Sequence, residues 1–153
     1  MNLLAKQICL KPSVVFDMVP PFTKFGDVLL EPTEEYSPGN SVVVKFRSGH
    51  PRNNFMTNRT FLTVELEKEK EGWAVVAEDA AIETKFIWRR TNSILGWSEV
   101  TVFWEIPKDA EEGTYRIRHL GHYKSITQEI IAYSGLSKEF KVFRKSPFSF
   151  YLM

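Results

Sequence analysis

The sequence lacks the features that mark several large classes of protein. Cys9 is the only cysteine among 153 residues, which excludes an internal disulfide and the inter-sheet bridge of antibody domains. No apolar run approaches the roughly 18 residues that a membrane-spanning helix requires, and Lys6 interrupts the first apolar stretch too early for a signal peptide. The net charge is +1, so no overall field attracts nucleic acid or an anionic membrane.

Signatures of catalysis are also missing. The chain has no Gly-X-Ser-X-Gly elbow and no glycine-rich loop leading into a helix. His119 and His122 have a spacing that suggests a ligand pair, but residues three apart on a strand point to opposite faces, and no third ligand is evident. We therefore expect His119 to be a partly buried, hydrogen-bonded histidine, and Glu78 with Asp79 to form a solvated turn. The sequence predicts no catalytic residue, no metal site and no cofactor.

The sequence is instead rich in alternating apolar and polar residues, which is typical of half-buried strands. Residues 41–47 are the first such stretch, with Val42, Val44 and Phe46 predicted to face inward. About seven strands at this spacing, without a long helix, predict an all-β, immunoglobulin-like two-sheet Greek-key sandwich. Further strands are predicted at 60–68, 73–78, 83–90, 98–106, 114–119 and 137–144. A turn is predicted at 121–125, and the segment 126–132 is either a strand or a helical turn. The predicted core positions on these strands include Trp73, Val75, Phe86 and Trp88.

The stretch from 98 to 119 is the anchor of this prediction. Gly113 ends a polar turn, and Tyr115 follows two residues later at the start of a strand. This spacing is typical of a tyrosine corner, in which the tyrosine hydroxyl bonds back to the backbone of the turn. The alternative is a tyrosine in an ordinary hairpin.

The pattern divides the chain into an extended linker at 1–21, the sandwich at 22–144 and an apolar tail at 145–153. An apolar docking patch is predicted from outward-facing Phe103 and Leu120 together with three tail residues. Stray surface aromatics, or cover for the open edge of the sandwich, would explain the same residues. The tail residues of this patch are Phe148, Phe150 and Tyr151.

Two polar features complete the candidate sites. Asn58 begins an Asn-X-Thr acceptor for N-glycosylation, which matters only if the chain enters the secretory path. Arg116 and Arg118 share an outer strand face, near Arg89 or Arg90 in this interpretation. A solvated face is the default for such arginines, and a patch for a small anion or a partner is the alternative.

Three segments together resemble a known family. They are Val14-Val-Phe-Asp17 with Phe25-Gly-Asp-Val-Leu29, His50-Pro-Arg-Asn53 with Thr60-Phe-Leu-Thr-Val64, and Gly113 through His122. Glu83-Thr-Lys-Phe-Ile-Trp88 and Val100 through Pro107 stand at matching spacing. In order and spacing they resemble the C-terminal immunoglobulin-like domain of the neutral (alkaline) ceramidases, or a short ceramidase-like paralogue that consists mainly of that domain.

The resemblance implies a function in sphingolipid metabolism. Ceramidases are amidohydrolases that split ceramide into sphingosine and fatty acid, and their zinc site and catalytic serine lie in a large N-terminal domain with no counterpart here. The chain is therefore expected to be a non-catalytic accessory domain whose partner is that catalytic domain. A ceramidase-like hydrolase and a free-standing protein- or lipid-surface binding module are the alternatives. The expected location is cytoplasmic if the chain is made alone from Met1, and extracellular or at the cell surface within a full-length ceramidase.

Overall fold

The chain folds into two packed β-sheets. The structure is a computed structural model and describes residues 16–54 and 60–145, within which no helix is long and apolar enough to span a membrane. One sheet has the strand order β1-β3-β7-β6, and the other has the order β2-β10-β8-β4-β5 with β9 paired to β8. The strands are β1 (Val28–Leu30), β2 (Glu35–Tyr36), β3 (Ser41–Arg47), β4 (Leu62–Lys68), β5 (Gly72–Glu78), β6 (Thr84–Asn92), β7 (Trp97–Glu105), β8 (Gly113–Lys124), β9 (Ile130–Leu136) and β10 (Phe140–Val142), with a short 3-10 helix at Pro51–Asn54.

The core lies between the inner faces of the two sheets. Val42, Val44 and Phe46 of β3 are fully buried, as predicted. They contribute to one cluster with inward residues of β4, β7, β8 and β10. This arrangement confirms the predicted all-β sandwich, because each sheet buries one apolar face against the other.

The stretch from 98 to 119 crosses between the sheets. β7 pairs with β3 and β6, whereas β8 pairs with β4, β9 and β10. The two strands are therefore not a hairpin, and the hairpin alternative is wrong. At the crossing, the Tyr115 hydroxyl donates a hydrogen bond to the Glu111 carbonyl oxygen, and the Tyr115 ring lies 5.1 Å from that of Trp104 in the core.

Strand β5 differs from its prediction. Trp73 and Val75 were expected to face the core, but Val75 is 54% exposed and Trp73 is half-buried. A bulge opposite Val64 and Glu65 shifts the register, so that Ala77 pairs with Val64 and Val75 pairs with Glu65. The extra residue changes which side chains point inward. Ala77 is consequently the buried residue of this strand.

The turn predicted at 121–125 is also wrong. β8 continues through Gly121 to Lys124 and pairs with β9 from Arg118 to Lys124. Gly121 is compatible with a strand here because the Tyr133 ring of β9 lies where a side chain at 121 would be. The segment 126–132, for which strand and helical turn were both open, is the turn leading into β9 and the first part of that strand.

Candidate functional site

Several loops and strand ends meet at one end of the sandwich, which we call the loop end. It consists of residues 16–27, 48–54, 93–96 and 125–129. Phe16, Asp17 and Met18 run through its centre, and the Asp17 amide donates to the Lys124 carbonyl oxygen at 2.8 Å while the Met18 amide donates to the Gly96 carbonyl oxygen at 3.0 Å. The segment before β1 is therefore tied to the ends of both sheets.

The carboxylate of Asp17 is the hydrogen-bonding centre of the loop end. Its side chain is almost fully buried and pairs with the guanidinium of Arg90 at 3.2 Å. The backbone amides of His50 and Lys124 donate to it at 3.1 and 3.0 Å, and the side-chain amide of Asn53 donates at 2.8 Å. A buried carboxylate requires such compensation, because an unpaired charge is strongly destabilising away from water.

Aromatic packing holds the charged partners of Asp17 in place. The Arg90 guanidinium lies 5.4 Å from the ring centroid of Trp88, and the same side chain donates to the Gly96 carbonyl oxygen at 2.6 Å. The His50 ring lies 4.4 Å from that of Trp88. Burial first, and then the positive charge of Arg90, lower the pKa of His50. At neutral pH the site therefore contains an Asp–Arg pair beside a neutral imidazole.

His119 lies in the core beneath the loop end. Its Nδ1 donates to the Phe61 carbonyl oxygen at 2.8 Å, and its Nε2 accepts from the Tyr133 hydroxyl at 2.9 Å. That hydroxyl in turn accepts from the Gly49 amide at 2.8 Å. Burial lowers the pKa of His119 to about 4, so the imidazole is neutral and both ring nitrogens are occupied by structural partners.

The two histidines of the 119–122 pair have separate environments. The Nδ1 of His122 lies 3.0 Å from the side-chain oxygen of Asn54, on the opposite face of β8 from His119. Within residues 16–54 and 60–145, no group of three or more histidine, cysteine, aspartate or glutamate side chains is placed to hold a metal ion. Asp79 caps the start of β4 by accepting from the Phe61 amide and the Thr60 hydroxyl.

The predicted docking patch is not assembled by the described residues. Phe103 lies on the outer face of the four-stranded sheet, between the buried residues Val102 and Trp104. Leu120 lies on the outer face of the other sheet, so the two side chains point away from each other across the sandwich. The predicted patch residues Phe148, Phe150 and Tyr151 lie outside the described residues, as does Asn58, the predicted glycosylation acceptor.

The outward arginines of β8 form an ion pair cluster. Glu65 binds Arg116 at 2.8 Å and Arg118 at 2.9 Å, and the Arg116 guanidinium lies 3.9 Å from the Trp73 ring centroid. Burial raises the pKa of Glu65, but hydrogen bonds from Arg118, Thr63 and Arg116 outweigh this effect and lower it overall. The two arginines are thus engaged by a carboxylate of their own sheet.

The sequence predicts Arg89 or Arg90 near this cluster, and this prediction is wrong. Both lie on β6 in the other sheet. Arg89 pairs with Glu99 at 2.7 Å, and Arg90 pairs with Asp17. The alternation along β6 shows which of its residues share a face, but it does not show to which sheet the strand belongs.

Sequence reasoning did not identify Asp17 as a site residue. The signal was nevertheless present, because Asp17, His50 through Asn53 and the end of the stretch from 113 to 122 are the segments that carry the family resemblance. The structure joins all three at the loop end. Segments that carry a family resemblance but lie on different strands and loops are good candidates for a common site in the folded structure.

The fold and the loop end together define a β-sandwich domain in which the segment before β1 is hydrogen-bonded to the strand ends of both sheets. The family model described as neutral/alkaline non-lysosomal ceramidase, C-terminal, matches residues 1–142. The chain belongs to this family of ceramidase C-terminal domains.

Individual relatives support the assignment. The chain is 44% identical over 135 residues to the neutral ceramidase of Drosophila pseudoobscura pseudoobscura, covering 88% of this chain and 19% of that protein. It is 41% identical over 143 residues to neutral ceramidase 2 of Arabidopsis thaliana, covering 92% and 19%. The crystal structure of neutral ceramidase from Pseudomonas aeruginosa matches with a TM-score of 0.80 at 37% identity, covering 87% of this chain and 21% of that one. The chain thus spans about a fifth of the length of these relatives.

Proposed function

We propose that this chain acts as a non-catalytic accessory domain that docks on the catalytic part of a neutral ceramidase and supports its folded state. The observation that carries the proposal is the family match, in which this domain corresponds to a C-terminal fifth of proteins named neutral ceramidase. The described residues supply binding and packing groups, and their histidines and buried carboxylates are all engaged in structural hydrogen bonds. In this function the zinc chemistry of ceramide hydrolysis belongs to the catalytic part.

A domain exchange tests the proposal. The matching C-terminal segment of the Drosophila pseudoobscura ceramidase is replaced by this chain, and soluble yield and ceramide hydrolysis are measured. We expect the chimera to be soluble and active, because the two sequences are 44% identical over 135 residues of the domain. Controls are the truncated enzyme and a chimera with an unrelated immunoglobulin-like sandwich, both expected to lose most soluble activity.

Two results would contradict the proposal. Zinc-dependent ceramide hydrolysis by the isolated chain would make it a catalyst in its own right. A truncated ceramidase as soluble and active as the chimera would show that the domain is dispensable.

A further inference from the structure

Five large apolar side chains are exposed at the loop end. Three of them lie at turn tips: Phe22 is fully exposed, Ile94 is 87% exposed and Ile126 is 68% exposed. Met18 and Leu95 add two further exposed apolar groups beside them. Exposed apolar residues scattered singly are normal, but a contiguous group around one site marks an interaction surface.

The backbone contacts bring together the turns that carry these residues. Met18 is bonded to Gly96, which follows Ile94 and Leu95 directly. Asp17 is bonded to Lys124, two residues before Ile126. The Phe25 ring stacks on that of Tyr123 at 4.0 Å, which fixes the turn containing Phe22 against the end of β8.

Phe22 also has an unfavourable backbone conformation. It occupies the third position of a turn closed by the Thr23 amide on the Pro20 carbonyl oxygen at 3.2 Å, and its φ is 65°. Glycine and asparagine adopt this left-handed region readily, whereas a bulky side chain is strained there. Because the Phe22 ring is fully exposed, its packing within this domain does not offset the cost of the backbone strain. Strain of this kind is typical of functional positions.

We infer that Met18, Phe22, Ile94, Leu95 and Ile126 form a docking surface, and that its occupant is the catalytic part of a neutral ceramidase. This inference rests on the proposed function and locates its interface. In the relatives this domain is C-terminal, so the remaining four-fifths of their length precede it. Residue 16 lies at the loop end, so the chain leads into the domain through the same surface that exposes the apolar groups.

The experiment compares single substitutions in two settings, the isolated chain and the chimera with the Drosophila ceramidase. Phe22→Asn relieves the backbone strain, so we expect the melting temperature of the isolated chain to rise by about 2–4 °C. In the chimera the same change removes a docking residue, and we expect its melting temperature to fall. Ile94→Asp and Ile126→Asp should leave the isolated chain unchanged and lower the melting temperature of the chimera by several degrees.

Two control variants carry the same kind of change elsewhere. Ile82 is fully exposed on the connection between the edge strands β5 and β6, so Ile82→Asp should have no effect in either setting. Phe103→Asp tests the competing surface on the outer face of the four-stranded sheet. Ceramide hydrolysis by the unsubstituted chimera shows first that the domain functions in that context.

The outcomes separate the surface from the function. A soluble, active chimera whose loop-end variants behave like Ile82→Asp would overturn the surface and leave the accessory function standing. Destabilisation of the chimera by Phe103→Asp alone would place the interface on the sheet face. If the isolated chain is a dimer that Ile94→Asp dissociates while the chimera is unaffected, the surface serves self-association and the inference is wrong.

Discussion

Single residues determine how the loop end is held together, and Asp17 contributes most. Its two carboxylate oxygens accept from four donors on three separate parts of the chain. Three of these donors are neutral amides, so the arrangement is specific for an acceptor with two equivalent oxygens. An asparagine side chain at position 17 would have only one oxygen, and its NH2 group would face at least one of these donors.

We predict that Asp17→Asn lowers the free energy of unfolding by about 3 kcal/mol, because it breaks a buried ion pair and leaves donors unpaired. Urea denaturation followed by tryptophan fluorescence measures the change. Asp109→Asn, at an exposed turn position, is the matched control and should change stability by no more than about 0.5 kcal/mol. Equal stability of the two variants would show that the Asp17 contacts contribute little.

His119 makes stability depend on pH. Burial lowers its pKa from 6.5 to about 4 in the folded state, so between these values the unfolded chain binds more protons than the folded one. Stability therefore rises with pH across this window and is lost on acidification, at up to about 1.4 kcal/mol per pH unit. The lowered pKa of His50 acts in the same direction.

The measurement is the free energy of unfolding between pH 4 and pH 7 for the natural sequence and for His119→Gln. We expect the variant to be less stable at pH 7 and to show a shallower dependence on pH. His50→Gln should remove a smaller part of the slope. A slope that persists unchanged in His119→Gln would assign the pH dependence to other groups.

Sequence reasoning at the residue scale identified buried residues better than their partners. The burial of Val42, Val44 and Phe46 follows from local alternation, which a short window contains in full. The donors to Asp17 lie 33, 36, 73 and 107 residues away along the chain. No local pattern encodes such contacts, so the role of Asp17 became apparent only from the tertiary structure.

At the scale of elements, glycines allow the turn before β1 to approach strand β9 closely. A Cβ at Gly135 of β9 would lie 2.2 Å from the Gly26 carbonyl oxygen and 2.7 Å from the Phe46 ring. A Cβ at Gly26 would meet the Ser134 carbonyl oxygen at 2.3 Å. The turn before β1 therefore lies directly on β9, which positions Phe25 and Phe22 at the loop end.

We predict that Gly135→Ala destabilises the domain by about 1–3 kcal/mol, because the added methyl group clashes with backbone and with a core ring. Gly39→Ala is a useful comparison, since a Cβ there meets nothing within 4 Å although its φ is +91°; its cost reflects backbone strain alone. Thermal unfolding of both variants measures the difference. A Gly135→Ala variant as stable as the natural sequence would mean that the two segments can separate without cost.

The strands themselves were predicted with uneven success, for physical reasons. β3 was correct at both ends because the strand is regular, with one face buried. The prediction for β5 is wrong because a bulge inserts an extra residue into its alternation. Val75 and Val76 are the same residue type, so the sequence does not show where the register shifts. The predicted strand corresponding to β8 ends too early because a glycine such as Gly121 indicates a turn locally, whereas the Tyr133 ring packs where a side chain at 121 would be.

At the scale of the whole molecule, the sandwich and its family could be inferred from the sequence, but which outward apolar residues lie on the same face could not. The predicted patch was chosen from outward apolar residues, yet Phe103 and Leu120 belong to opposite outer faces. Which outward residues share a surface depends on how the strands are distributed between the sheets. Strand spacing along the chain does not determine that distribution.

The bonds of Asp17 and Met18 also set how a mechanical load enters this domain. A segment joined to residue 16 meets its first cross-link one residue later, so any pull reaches the ends of both sheets together instead of peeling away an edge strand. Within the described residues, the backbone is therefore anchored to both sheets from Asp17 and Met18 onward.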